Sequence, residues 1–321
     1  MISGVVNVYK EAGFTSHDAV AKLRGILHQK KIGHTGTLDP DAVGVLPVCL
    51  GKATKLVDTL ASDTKTYETV LLLGRETDTQ DISGQILKEN EVTCSEEDVR
   101  KCLAGFLGEQ EQIPPMYSAK KQNGKRLYQL AREGVTVERR PALIRIDELE
   151  MLSCELPRVS MRITCSKGTY IRTLCHDIGQ ALGCGGCMEQ LVRTRAGRFE
   201  IQNALTLGEI EERVRAGRLR EILMGIDSFF ADLPALSVPK DRFASEADRL
   251  LHNGNLLQAR NFSAEDMQDV TDQSEGRRVR VYDSEDIFMG VYKYKPESGA
   301  YSPELFVYEP ADNVKPGNNQ E

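Results

Sequence analysis

Residues 31–55 read Lys31-Ile-Gly-His34-Thr-Gly36-Thr-Leu-Asp39-Pro-Asp-Ala-Val-Gly44-Val-Leu-Pro47-Val-Cys-Leu-Gly51-Lys-Ala-Thr-Lys55. Glycines and prolines punctuate residues 31–51, so that part reads as a long structured loop, the kind that often carries function in a compact domain. Inside it a lone carboxylate, Asp39, follows His34 by five residues. That arrangement suits a nucleophile or general base with a polar positioning group beside it, and the glycines permit close backbone approach to a ligand. Two plainer readings compete: Asp39-Pro40 as the start of a turn, and Gly33-His-Thr-Gly36 as a phosphate cradle. The cradle lacks the Gly-Lys-Ser/Thr that opens a P-loop helix. Spacing alone favours the turn.

Working outward, residues 4–9 read as a short strand. Thr15-Ser16 offers an N-cap to a helix whose apolar face is Val20, Leu23 and Leu27. A strand is expected at 66–73, and Ser95-Glu-Glu-Asp98 has capping-box spacing. A short helix is expected around 124–133. Val159, Met161, Ile163 and Cys165 alternate as in a half-buried strand. Ile171, Leu174, Cys175, Ile178 and Leu182 recur at helical spacing, with Gly183 as the C-cap. Without a strict βαβ rhythm this is an α+β protein. Beyond about 228 the pattern changes to a helix near 241–252 and strand-like runs at 277–283, 287–295 and 304–308. Two domains follow, 1–227 and 228–321, with a tail after about 311 expected to be disordered.

The 321 residues, 40% hydrophobic and 28% charged, have globular proportions. No apolar run approaches a membrane span, and the start has neither a basic n-region nor an apolar h-region, so a cytoplasmic protein is expected. The eight scattered cysteines read as reduced thiols. Cys184-Gly-Gly-Cys187 has no second pair of ligands to complete a zinc site and reads as a Gly-rich turn. No metal is expected. The net charge of −7 argues at first against nucleic acid, but it is unevenly spread. Residues 221–321 hold 19 acidic and 10 basic side chains, a net of −9, leaving 29 acids and 31 bases, a net of +2, in 1–220. Within 112–140 seven bases (Lys120, Lys121, Lys125, Arg126, Arg132, Arg139, Arg140) face two acids, and Arg193, Arg195 and Arg198 form a second basic cluster. Local patches set the field a partner meets.

Gly33-His-Thr-Gly-Thr-Leu-Asp-Pro40 with Gly44-Val-Leu-Pro47 and Gly51-Lys-Ala-Thr-Lys55 closely resembles the signature of the TruB family of tRNA pseudouridine synthases. Further matches run in order: Lys10-x-x-Gly-x-Thr-Ser16, Lys65-x-Tyr67, Gly74-x-x-Thr-Asp-Thr-x-Asp81-x-x-Gly84, Pro114-Pro-x-Tyr-Ser-Ala-x-Lys121, Gly168-Thr-Tyr-Ile-Arg172 with Asp177-x-Gly179, and Leu191-x-Arg-Thr-x-x-Gly197. The resemblance covers roughly residues 3–225. It implies a pseudouridine synthase fold, a central mixed and largely antiparallel sheet flanked by helices and loops. It also implies conversion of uridine to pseudouridine at the position conventionally numbered 55 in the T loop of tRNA. Asp39 would be the catalytic aspartate, attacking C6 of the ring or C1′ of the sugar, with Arg172 as its partner keeping it ionised and oriented. Tyr67 would stack on the target base and serve a late proton transfer.

By the same resemblance the uridine is extruded from the loop, His34 braces the vacated stack, Tyr170 and Leu191 line the base pocket, and Asp81 contacts the nucleotide. Lys55 is a candidate phosphate contact. The 112–140 region becomes an RNA-gripping insertion in which Lys120, Lys121, Lys125, Arg126 and Arg132 position phosphates without reading bases. Glu11 and Asp41 depart from the family pattern, Asp41 adding a carboxylate close to Asp39. The C-terminal part resembles a divergent PUA-type small β-barrel. A monomer acting on the tRNA T arm without cofactor, membrane or guide RNA is expected. The rivals are a guide-dependent ribosomal RNA enzyme and a catalytically silent RNA-binding protein on the same scaffold.

Overall fold

The computed structural model describes residues 1–118, 120–122, 124–240, 244–269 and 276–308, so the tail expected beyond 311 lies outside the described residues. The chain opens with β1 (Gly4–Lys10) and α1 (Ser16–Leu27), capped by Thr15 and Asp18 in a reciprocal box. β2 (Ile32–His34), β3 (Val43–Leu50), α2 (Val57–Ala61) and β4 (Lys65–Leu73) follow. The hairpin of β5 (Arg75–Thr77) and β6 (Ile86–Glu89) precedes α3 (Glu96–Ala104), which Ser95 and Asp98 cap as the spacing predicts. Then come β7 (Gly108–Gln112), the small hairpin β8 (Lys121–Gln122) and β9 (Lys125–Arg126), and α4 (Leu127–Arg132). β10 (Ala142–Glu155), β11 (Arg158–Cys165), α5 (Ile171–Ala181), β12 (Gly186–Ala196), β13 (Phe199–Glu200) and α6 (Leu207–Arg215) complete the larger part.

These strands form one nine-stranded sheet, β1-β3-β12-β4-β11-β10-β7, with β2 added beside β3 and β13 beside β12. All its pairings are antiparallel except β12 with β3, so the sheet is mixed as expected for an α+β fold. Helices α3 and α5 supply Val99, Leu103, Ile171, Leu174 and Ile178 to a core on β4, β11 and β12. On β1 and β3 alternate residues face opposite ways, Val6, Val8, Leu46 and Val48 toward α1 and α6, Val5, Val45 and Cys49 toward the C-terminal part.

The loop reading of 31–51 is corrected. Residues 32–34 and 43–50 are strands, and seven of the eight β3 residues are buried. A strand covered on both faces reads as an unbroken apolar run, and Gly44 and Pro47 disguise it. Pro47 opposes Asn7, whose carbonyl turns outward to Leu205 N, so this position asks Pro47 for no N–H toward β1. Gly44 has φ +108°, and a Cβ there would lie 2.3 Å from Arg193 O on the parallel neighbour. Only residues 35–42, which hold Asp39, remain irregular.

The C-terminal part contains β14 (Ala235–Ser237), α7 (Ala244–His252), β15 (Leu257–Gln258), α8 (Ala264–Asp269), β16 (Arg278–Tyr282), β17 (Phe288–Lys295) and β18 (Ala300–Phe306). The strand expected at 304–308 therefore begins at 300: Tyr301 pairs with Tyr294 and carries the buried side. The five strands run β14-β16-β17-β18-β15 as an open sheet, and no pairing among the described residues closes a barrel. Val291 and Val307 share a buried cluster with Val5, Val45 and Phe199, so the two sheets are packed through apolar contact.

Candidate active site

Arg172 organises the centre of the molecule. It is the second residue of α5 and 5% exposed. Its Nε lies 2.9 Å from Asp39 Oδ2, and Nη2 donates to Asp39 Oδ1 at 3.3 Å and to Tyr117 O at 2.9 Å. Nη1 donates to Thr79 O at 3.1 Å and reaches Asp81 Oδ2 at 3.4 Å. One guanidinium fork thus joins the 35–42 loop, the β5–β6 turn and the start of the basic insertion. Asp39 keeps 37% of its side chain open, whereas the Asp81 side chain is 16% exposed. Asp81 Oδ1 also accepts from Thr79 Oγ1, Ser83 N and Ser83 Oγ. Asp81 is therefore a fixed anchor, and Asp39 is the carboxylate with a free face.

The N-terminus of α5 is held by a residue absent from the sequence expectations. Gln112, 3% exposed at the end of β7, accepts from Tyr170 N at 2.8 Å and donates to Tyr170 O at 3.1 Å. Leu38, one residue before Asp39, is fastened to α1 by Ser16, whose Oγ accepts from Leu38 N at 2.8 Å. Lys10 is fully buried, and its Nζ donates to Pro40 O at 2.8 Å. Its place in the Lys10–Ser16 motif was the one sequence signal for Lys10, and no role followed from it. Gln112 gave no sequence signal.

The second basic cluster is corrected. Arg193 is 2% exposed and points into the core; only Arg198 of the three is exposed. The Nε of Arg193 donates to Val45 O at 2.6 Å and its Nη2 to Gly36 O at 3.2 Å. In the β12–β4 register Arg193 lies opposite Tyr67, which is 9% exposed. Tyr67 and Leu191 share one buried cluster with Leu38 and Ala42, the residues flanking Asp39. Charges from Asp39 and Arg172 also reach Tyr170. His34 ends β2 with its Nδ1 buried and unpartnered among the described residues. Lys55 stands apart, its Nζ donating to Phe306 O at 2.6 Å. Lys120, Lys125 and Arg126 are exposed on the insertion, with Lys125 bridging to Glu133 at 3.3 Å; the side chains of Lys121 and Arg132 lie outside the described residues.

Burial shifts the titrating groups. It raises Asp39 above the ordinary carboxylate value, and the pull of Arg172 offsets only part of that while Asp81 adds to it. The ion pair orients the carboxylate and limits a rise that desolvation dictates. Burial likewise raises Tyr67 against the pull of Arg193, lowers His34, and lowers Lys10 to about 8. A half-open, oriented carboxylate of raised proton affinity, with a buried phenol in the adjoining core, can attack an electrophilic carbon and exchange protons with it.

Among the described residues no helix is long and apolar enough to cross a membrane. The family description "TruB family pseudouridylate synthase (N terminal domain)" matches residues 24–171, and "tRNA pseudouridylate synthase B C-terminal domain" matches 172–231. A tRNA pseudouridine synthase B of Lachnoclostridium phytofermentans is 50% identical over 310 residues, 94% of this chain and 98% of that protein. The protein of that description from Alkaliphilus oremlandii is 41% identical over 301 residues, 94% of this chain and 96% of its own. Among solved structures, an H/ACA RNP bound to a substrate RNA containing 2'-deoxyuridine aligns with a TM-score of 0.64 at 24% identity, covering 95% of this chain and 85% of that one, a likeness of fold. With Asp39 and Arg172 in contact inside the matched region, and identity of this level running through nearly the whole sequence, the chain belongs to the TruB family of pseudouridylate synthases.

Proposed function

We propose that this chain isomerises uridine to pseudouridine in tRNA, at position 55 of the T loop, with Asp39 as nucleophile. The observation that carries the proposal is the free face of Asp39, held against the buried fork of Arg172. The tRNA assignment is supported by the names and coverage of the relatives. Asp39 adds to C6 of the base or to C1′ of the ribose, the N1–C1′ bond breaks, and the base turns. The C5–C1′ bond then forms, the bond to Asp39 breaks and returns its electron pair to the carboxylate, C5 loses a proton and N1 gains one. Atoms and electrons balance within the nucleotide, so the isomerisation consumes no co-reactant.

In this reading Tyr67 stacks under the base and serves the late proton transfer, and Tyr170 and Leu191 wall the pocket. His34, whose proton affinity burial lowers, braces the loop from which the uridine is flipped. Asp81 acts on the nucleotide mainly through Arg172, and Lys55 meets a phosphate only by leaving Phe306 O. The exposed Lys120, Lys125 and Arg126 grip phosphates, and Tyr117 O couples that grip to Arg172. We assign 1–227 to catalysis and the acidic, PUA-like 228–321 to a limited contact, in a cytoplasmic monomer that needs no guide RNA. The test is to incubate an unmodified tRNA transcript with the protein and map pseudouridine. Wild type should convert one T-loop uridine and Asp39→Asn none. An active Asp39→Asn refutes the nucleophile, and conversion of ribosomal RNA only refutes the substrate.

A further inference from the structure

We infer that Arg193 is a positioning residue of this reaction, fixing the Tyr67 phenol relative to the loop that carries Asp39; the inference deepens the function proposed above and rests on it. Arg193 is among the largest fully buried side chains, and among the described residues no carboxylate pairs with it. A buried guanidinium without an anion is costly, and Met or Leu would fill the space more cheaply. The structure shows what occupies its donors instead. Nε and Nη2 take the carbonyls of Val45 and Gly36, which lie on either side of Asp39, at 2.6 and 3.2 Å. The side chain faces Tyr67 across the β12–β4 ladder, and its positive charge acts on the phenol against the rise that burial imposes.

The backbone of Arg193 contributes too. Its carbonyl lies so close to Gly44 that no larger residue fits there, so β12 clamps the exit of the Asp39 loop from both backbone and side chain. Nucleophile and phenol come from a loop and a separate strand, and Arg193 is bonded to the backbone on either side of the first while lying across the ladder from the second. Its charge also opposes protonation of His34 and of Lys10. A planar fork satisfies both carbonyls at fixed angles beside the phenol; a lysine carries the charge without that geometry.

Arg193→Met and Arg193→Lys, each alone and combined with Tyr67→Phe, test this in single-turnover conversion of a tRNA transcript, with tRNA affinity and thermal melting measured alongside. Coupled neighbours interact by roughly twofold to a hundredfold. Arg193→Met should lower kcat by on the order of tenfold or more with tRNA affinity within about twofold, and Arg193→Lys should recover part of the rate. In the Tyr67→Phe background Arg193→Met should cost less than about threefold. An equal loss in both backgrounds overturns the proposal, as does a loss that appears wholly as weaker tRNA binding. A second measurement needs no Arg193 variant: guanidinium nitrogen NMR of the wild type should show slowly exchanging Arg193 signals that move in Tyr67→Phe, and unmoved signals overturn the proposal. Should wild type convert no tRNA uridine, the proposed function itself fails, while the NMR still decides whether Arg193 holds Tyr67.

Discussion

Removing the Arg172 fork while keeping its volume is the sharpest perturbation of the site. Arg172→Met deletes two bonds to Asp39, one to Asp81, and those to Thr79 O and Tyr117 O. Breaking a buried ion pair costs about 3–5 kcal/mol. Asp39 is 37% open, so solvent screens part of the attraction, and the lower end, about 3 kcal/mol, applies. Felt at the transition state, that is roughly two orders of magnitude in rate. The substitution also has a pH signature. Asp39 already titrates above its ordinary value of 3.8, because burial outweighs Arg172. Without Arg172 only the weaker pull of Lys10 opposes burial and the repulsion from Asp81, so the value rises further and the ionised nucleophile becomes scarcer at low pH.

The rate of a reaction that needs the carboxylate rises as pH passes through this value, so Arg172→Met should shift the acid limb to higher pH and lose more activity near pH 6 than near pH 8.5. Single-turnover conversion at saturating tRNA, followed across that range, gives the measurement. Arg172→Lys, which keeps the charge but loses the fork, should fall between. A loss below about tenfold that is flat with pH would refute the reasoning, since neither the ion pair nor the Asp39 titration would then govern the step.

Other outcomes follow from individual side chains. Ser16→Ala strips Leu38 N of its buried acceptor, at a cost of about 1–3 kcal/mol, and should reduce kcat several-fold while a filter-binding assay finds tRNA affinity unchanged. Reversing Lys120, Lys125 and Arg126 to Glu should weaken tRNA binding and flatten its dependence on salt, with the slope falling by about 0.7–0.9 for each phosphate that is no longer neutralised. Gly179→Ala places a Cβ 2.2 Å from Gly186 N where α5 meets β12, and calorimetry should find the protein grossly destabilised or unfolded. Asp39→Asn should melt no lower than wild type near neutral pH. A carboxyl raised in the folded state confers its stability below its ordinary value and loses it as pH rises through the folded one, so any advantage of Asn should vanish toward pH 4.

Local periodicity carried much of the fold. β4, β11 and α5 were legible because each shows one buried face at period 2 or 3.6, and the caps of α1 and α3 because a capping box is a local interaction. β3 was not legible, since the demands on Gly44 and Pro47 come from strands far away in sequence. β12 was not anticipated either: it starts with glycines and carries an arginine at a core position, both of which read locally as loop or surface. At the site, Asp39 stood out within its loop, but its contact with Arg172 spans 133 residues and came only from the resemblance. Gln112 and Thr79 act through a side-chain amide and a backbone carbonyl, for which no residue pattern exists.

Charge placement explains how an acidic chain can serve a polyanionic substrate. Five charged side chains are buried among the described residues: Lys10, Lys65, Arg172, Arg193 and Asp283. The four cations all lie in the large sheet or on the helix packed against it, and the one carboxylate belongs to the C-terminal part. Exposed charges are screened within about 10 Å by salt, whereas buried ones act through a medium of low dielectric. The interior behind Asp39 is therefore more positive than the balance of +2 in residues 1–220 indicates. Burial lowers Lys10 and Lys65 to about 8 each, which measures how strongly the fold resists holding these charges. Asp39 completes part of this charge, pairing with Arg172 at 2.9 Å and raising Lys10 against its burial, whereas Lys65 and Arg193 are held by backbone carbonyls.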